Sequence, residues 1–214
     1  ATVSVQNSYD DTEFAKLRAV VEEEFPLLHQ KAERMILAED CWLYKIPGKD
    51  ESRNILFMSH HDVVPADTDW TMPAFEGIIE DGVLWGRGTL DTKGTFNGVL
   101  FGANHLIGEG FQPEHDVYFA FSGGEEVNGK GAPNIVDYFE EKGTEIAFVI
   151  DEGGAVVENV FPGIKQPCGL IGIAEKGMMN VRYCVTSSGG HASAPLPKTP
   201  ITTLAKACRA VVTH

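Results

Sequence analysis

Imidazole and carboxylate side chains gather at four places in this chain: His60-His61-Asp62, Asp91, Glu125-Glu126 and Asp151-Glu152. Each cluster stands at the carboxyl end of a run that reads as a β-strand, or in the loop after one, where α/β proteins keep their ligands. Any one alone is what a cap, a turn or a solvated face uses. Four at the same edge of one sheet would repel one another unless a cation were present. The donors are oxygen and nitrogen without thiolate, a set that suits zinc, cobalt or manganese.

Residues two apart in a strand share a face, so His60 and Asp62 point together and His61 points away. This predicts His60 as a metal ligand oriented by the Asp62 carboxylate, with His61 in packing, although spacing alone allows the reverse. Asp91 stands in Gly86-Arg87-Gly88-Thr89-Leu90-Asp91-Thr92-Lys93-Gly94, where glycines let backbone approach closely, and it can bridge two metals. Glu125 and Glu126 are adjacent and diverge, so one can ligate while the other moves a proton as general base. Asp151, after the strand Ala147 to Ile150, is expected as a terminal ligand, with Glu152 its non-ligating neighbour. Rival motifs fail: Gly86-Arg87-Gly88 is followed by neither a third fingerprint glycine nor Gly-Lys-Ser/Thr, and no GxSxG elbow exists. The order of Asp91-Thr92-Lys93-Gly94-Thr95 also differs from the phosphorylated Asp-Lys-Thr-Gly-Thr of transport ATPases.

The elements that must position these residues read as alternating α and β. Asp10 with Glu13 resembles a capping box opening a first helix, and Pro26 opens a second. Residues 40–46 and 54–58 read as strands, and 77–85 as a hairpin around Asp81-Gly82. Phe96, Val99, Leu100, Ala103, Leu106 and Ile107 recur at helical spacing. A strand (117–121), a helix (132–142) and a strand (146–150) follow, which argues for a mixed, largely parallel sheet flanked by helices. Beyond Asp151 a hairpin and a crossing strand near 181–185 are expected, with a domain boundary near Gly177 that divides the chain into 1–177 and 178–214.

The 214 residues are 43% hydrophobic, enough for one substantial core and the start of another. Thirty-one acidic against 17 basic side chains give a formal charge of -14, which disfavours nucleic acid and anionic membranes as partners. No leader pattern or apolar span is visible, and the four dispersed cysteines read as thiols in the cytoplasm. Both ends read as cut, at Ala1 and within the apolar-periodic stretch ending at His214.

With these residues in hand, the chain resembles the zinc peptidase family of glutamate carboxypeptidase, aminoacylase, succinyl-diaminopimelate desuccinylase and carboxypeptidase S, the last branch most of all. Ser59-His60-His61-Asp62-Val63-Val64-Pro65, Trp85-Gly86-Arg87-Gly88 through Asp91-Thr92-Lys93-Gly94, Gly123-Gly124-Glu125-Glu126 and Gly189-Gly190-His191-Ala192-Ser193 occur in family order. The resemblance implies a zinc-peptidase catalytic domain over 1–177, lacking its C-terminal return segment, and the beginning of an α+β lid and dimerisation domain over 178–214. It implies two zinc ions bridged by Asp91, with His60 and Asp151 completing one site and Glu126 in the other. Glu125 becomes the base and Asp62 the orienting group, and the peptide after Asp91 is expected to be cis. His191 would hold the substrate carbonyl from the lid, in a homodimer. The implied activity is amide hydrolysis in peptides or N-acyl amino acids. A fifth ligand, a histidine from the return segment, is not supplied by His214, so this stretch alone is expected to bind metal incompletely and hydrolyse little. The competing class is a non-catalytic metal-binding relative or interaction module, against which retention of Glu125 argues.

Overall fold

The computed structural model describes every residue except 7–10, 39, 192, 195 and 214, so the Asp10 cap, Ala192 and His214 lie outside the described residues. The chain divides into two compact units, Ala1–Gly154 and Ala155–His214. The boundary read near Gly177 falls within the second.

The first unit runs α1 (Asp11–Glu24), α2 (Pro26–Lys31), β1 (Glu33–Leu37), β2 (Cys41–Ile46), β3 (Asp50–His60), β4 (Ile78–Glu80), β5 (Val83–Trp85), α3 (Lys93–Gly108), β6 (His115–Ser122), α4 (Gly131–Lys142) and β7 (Ile146–Ile150). A 3₁₀ turn covers Glu125–Val127. Five strands form one sheet in the order β1-β2-β6-β3-β7. The central β3 is parallel to β6 and β7, whereas β1 and β2 add an antiparallel edge.

Period-two patterning explains why both faces are covered. Trp42 and Tyr44 of β2 enter a core with Phe119 and Phe121 of β6, packed under Val21, Leu28, Phe96 and Leu100 of the three N-terminal helices. Their neighbours Cys41, Leu43, Tyr118 and Ala120 turn the other way, onto Ile135 and Phe139 of α4. Fully burying side chains of this size stabilises the fold by about 1.5–3 kcal/mol each. Helix α3 buries Phe96, Leu100 and Ala103, the stripe expected of an amphipathic helix. Between β4 and β5, Asp81 (φ 50°) and Gly82 (φ 77°) both take left-handed backbone, as a tight hairpin requires.

Strand β1 is absent from the sequence reading. It is a short edge strand whose Met35 and Leu37 reach only the margin of the second core cluster, so its alternation is weak. The register is what matters for the site. His60 pairs with Ser122 and Phe57 with Ile150, so the carboxyl ends of three adjacent parallel strands come out side by side.

In the second unit, β8 (Ala155–Val157) and β9 (Cys168–Leu170) form the expected hairpin. Helix α5 (Pro200–Val212) follows, capped reciprocally by Thr199 and Thr202. The strand expected over 181–185 does not form. Val181 and Tyr183 are about half exposed, at 54% and 50%, and an alternating run with no neighbouring ladder has nowhere to place its backbone hydrogen bonds. Among the described residues no helix is long and apolar enough to cross a membrane, and the four cysteines form no disulfide.

Far from the strand ends, Asp116 is buried at the start of β6. It accepts the Gly48 amide at 2.8 Å and meets the Lys45 ammonium at 2.7 Å, which holds the lysine's proton more tightly than usual. Asp116→Ala removes the acceptor of that amide and leaves the ammonium only the exposed Glu51 carboxylate, 3.8 Å away. It should lower the unfolding free energy by about 2 kcal/mol in denaturant titration, at unchanged slope.

Candidate metal centre

Strand β3 delivers His60 to the sheet edge with its ring almost wholly covered, at 3% exposure. The Nδ1 atom faces Asp62, 3.1 Å from its carbonyl oxygen and 3.4 Å from Oδ1. The Nε2 atom faces three carboxylates: Asp91 Oδ1 at 3.1 Å, Glu152 Oε1 at 3.3 Å and Glu125 Oε2 at 3.8 Å. Burial pulls the imidazole pKa down, but the Asp62 hydrogen bond and the charges of Glu152, Asp62 and Glu125 outweigh it and push it up to about 9.

Asp62 has no solvent exposure. Its Oδ1 accepts the Glu125 amide at 3.2 Å and its Oδ2 the Glu126 amide at 3.3 Å. Burial would raise its pKa, yet the hydrogen bonds from His60 and the Ser4 hydroxyl, with His60's charge and the Glu126 amide, hold it below the ordinary aspartate value. One carboxylate thereby orients the His60 ring and pins the turn that carries both glutamates.

His61 turns into the core instead. Its ring stacks on Trp42 at 4.4 Å, meets Phe14 edge-on and bonds the Asp40 carbonyl through Nε2 at 3.0 Å. Burial drives its pKa down to about 3, so it is neutral there.

Asp91 arrives on the loop before α3, and the Asp91–Thr92 peptide is cis, as the resemblance implies. That loop lies directly on the segment after β3. Gly88 has φ 87°, and a Cβ there would sit 2.5 Å from Val63 Cγ1, so glycine is needed both for the backbone and for the approach. Glu126 accepts the Val64 amide, and burial first, then the Asp91 charge, raises its carboxyl pKa. Glu125 is also raised, by burial above all, while its side chain stays 53% exposed.

After β7, Glu152 rather than Asp151 is the side chain that approaches His60. Asp151 folds its Oδ1 back onto the Glu152 amide at 2.8 Å, the local bond that short acidic side chains favour in turns. The longer Glu152 reaches His60. His60, Asp91 and Glu152 each bring one donor atom within 4.8 Å of the others, and Asp151 is not in that group. His191 belongs to the second unit, exposed, with Nδ1 2.8 Å from the Ser193 hydroxyl.

The donors fit a divalent cation. A buried imidazole nitrogen faces carboxylates that no arginine or lysine bridge neutralises among the described residues, its second nitrogen is anchored by a buried carboxylate, and no sulfur is present. Ser4, Thr2 and Lys93, which brace this edge, escape sequence reasoning because their contacts span 32 to 91 positions; Lys93 meets His61 across 32 and Thr2 across 91.

Comparison with known proteins agrees with the geometry. The chain is 39% identical over 205 residues to the probable carboxypeptidase S-like 2 of Dictyostelium discoideum, covering 92% of this chain and 39% of that one. It is 37% identical over 174 residues to the human N-fatty-acyl-amino acid synthase/hydrolase PM20D1, covering 80% and 35%. The chain thus spans about two fifths of these relatives. Among solved structures, an M20 family metallo-carboxypeptidase from Sulfolobus solfataricus superimposes with a TM-score of 0.56 at 27% identity, over 74% of this chain and 35% of that one. Human carnosine dipeptidase 1 shares the fold, with a TM-score of 0.58 at 17% identity over 71% and 35%. Residues 56–214 match the sequence profile of peptidase family M20/M25/M40, and the chain belongs to that family.

Proposed function

We propose that the full-length protein hydrolyses an amide bond in peptides or N-acyl amino acids, using two divalent ions, zinc by preference. The observation that carries this reading is the single imidazole nitrogen of His60 facing Asp91, Glu152 and Glu125 at 3.1–3.8 Å, with the buried Asp62 behind the ring. His60, Asp91 and Glu152 would hold one ion, Glu152 taking the place first assigned to Asp151. Asp91 and Glu126 would hold the other, since Asp91 lies 3.1 Å from His60 Nε2 and its charge also acts on Glu126. The ions supply a polarised water and a Lewis acid for the amide carbonyl.

The residues of the chain do the rest. The Glu125 carboxylate stays half exposed beside His60, free to take the proton from the attacking water and return it to the leaving nitrogen. Water's oxygen joins the carbonyl carbon, the C–N bond breaks, and an acid and an amine leave. Its raised pKa suits a group that must accept and then release a proton. His191 is proposed to steady the substrate carbonyl, in a homodimer. The similarity to a carboxypeptidase S-like protein and to an N-fatty-acyl-amino acid synthase/hydrolase supports this substrate class.

In the full-length protein, Glu125→Gln should keep its bound zinc by elemental analysis while turnover on a panel of dipeptides and N-acyl amino acids falls about 10²- to 10⁴-fold. Wild-type rates in that variant would remove Glu125 as the base. Asp62→Asn should weaken zinc binding about 10- to 100-fold in competition with a chelating dye, because His60 loses its orienting charge. An unchanged affinity would show that the carboxylate plays no part in holding the site.

A further inference from the structure

Two of the donors at the sheet edge come from neighbouring segments: His60, with Asp62 behind it, from the end of β3, and Asp91 from the loop before α3. They belong to different elements, so their spacing must be set by something. The Lys93 side chain stands between them. Its Nζ donates to the His61 carbonyl at 2.7 Å and to the Thr2 hydroxyl at 2.8 Å, and that hydroxyl donates in turn to the same carbonyl at 2.6 Å. From the other side, the Val63 amide donates to the Thr2 carbonyl and the Ser4 amide to the Val63 carbonyl, each at 3.0 Å. The Ser4 hydroxyl closes the circle on the Asp62 carboxylate.

Lys93 is also tied to its own loop, its amide donating to the Gly88 carbonyl at 2.8 Å where Gly88 rests on Val63. An ammonium held on neutral oxygens beside a metal centre is an unusual use of lysine, since a charge so placed gains most from a carboxylate. Asp62 and Glu126 lie close enough for their charges to act on it, but neither accepts its hydrogen bonds. Its bonds therefore act on geometry: they fix the peptide between His60 and Asp62 relative to the start of α3, two residues from Asp91.

We propose that Lys93, with the strap Thr2–Ser4, is a positioning residue that sets the distance between His60 and Asp91 and so the affinity and symmetry of the metal centre. The inference rests on the reading of that centre as a metal site.

The test uses the full-length protein, with zinc affinity from dye competition, the visible absorption of the cobalt-substituted form, and thermal unfolding. Lys93→Met should bind zinc about tenfold more weakly and change the cobalt spectrum. Thr2→Val, which removes one arm of the clamp and leaves the ammonium, should shift both in the same direction by a smaller factor, about threefold. Asp116→Ala, remote from the site, should unfold earlier with wild-type affinity and spectrum, which separates positioning from general stability. If Lys93→Met does not fold, Thr2→Val decides alone. Wild-type affinity and spectrum in the folded variants would overturn the inference, whereas a wild-type protein that binds neither zinc nor cobalt would overturn the metal reading beneath it.

Discussion

A carboxylate with no access to solvent is unfavourable unless every lone pair is used, and Asp62 meets that demand by accepting from His60, from Ser4 and from the amides of Glu125 and Glu126. The candidate centre follows from this constraint. Because Nδ1 of His60 serves Asp62, Nε2 is the atom left to face Asp91 and Glu152. Because the same carboxylate pins two successive amides, the glutamate turn is held at a fixed place over the end of β3. Leaving such a charge without its partners would cost several kcal/mol, so orientation of the site and integrity of the edge are one property.

The sheet makes this possible. Parallel strands β6 and β3 end level with one another and β7 three residues earlier, and acidic residues follow each within three positions. The antiparallel strand β2 instead sends alternate side chains into the two cores that pack on either face of β6. His61 links the two roles: one residue after His60 it stacks on Trp42, so the strand that carries His60 is anchored in the same aromatic cluster that holds Phe96 of α3.

Much of this is legible in the sequence where a fixed period governs it. The opposition of His60 and His61 follows from strand alternation, the helices over 93–108 and 131–142 from apolar spacing, and the hairpin from Asp81-Gly82. The period lapses past the end of a strand, where side-chain length and a local hydrogen bond, not alternation, decide that Glu152 and not Asp151 approaches His60. The run over 181–185 alternates well but finds no neighbour to pair with. The brace formed by Thr2, Ser4 and Lys93 depends on contacts between distant positions that no local pattern announces.

The central claim is that His60, Asp91 and Glu152 share one ion while Asp91 and Glu126 share a second. Crystals of the full-length protein grown with zinc, measured at the zinc absorption edge, test it directly. The account predicts two anomalous peaks, one on each side of the Asp91 carboxylate, the first bonded to His60 Nε2 and Glu152 and the second to Glu126. No peak at His60, or a first peak bonded to Asp151 with Glu152 turned away, would contradict it.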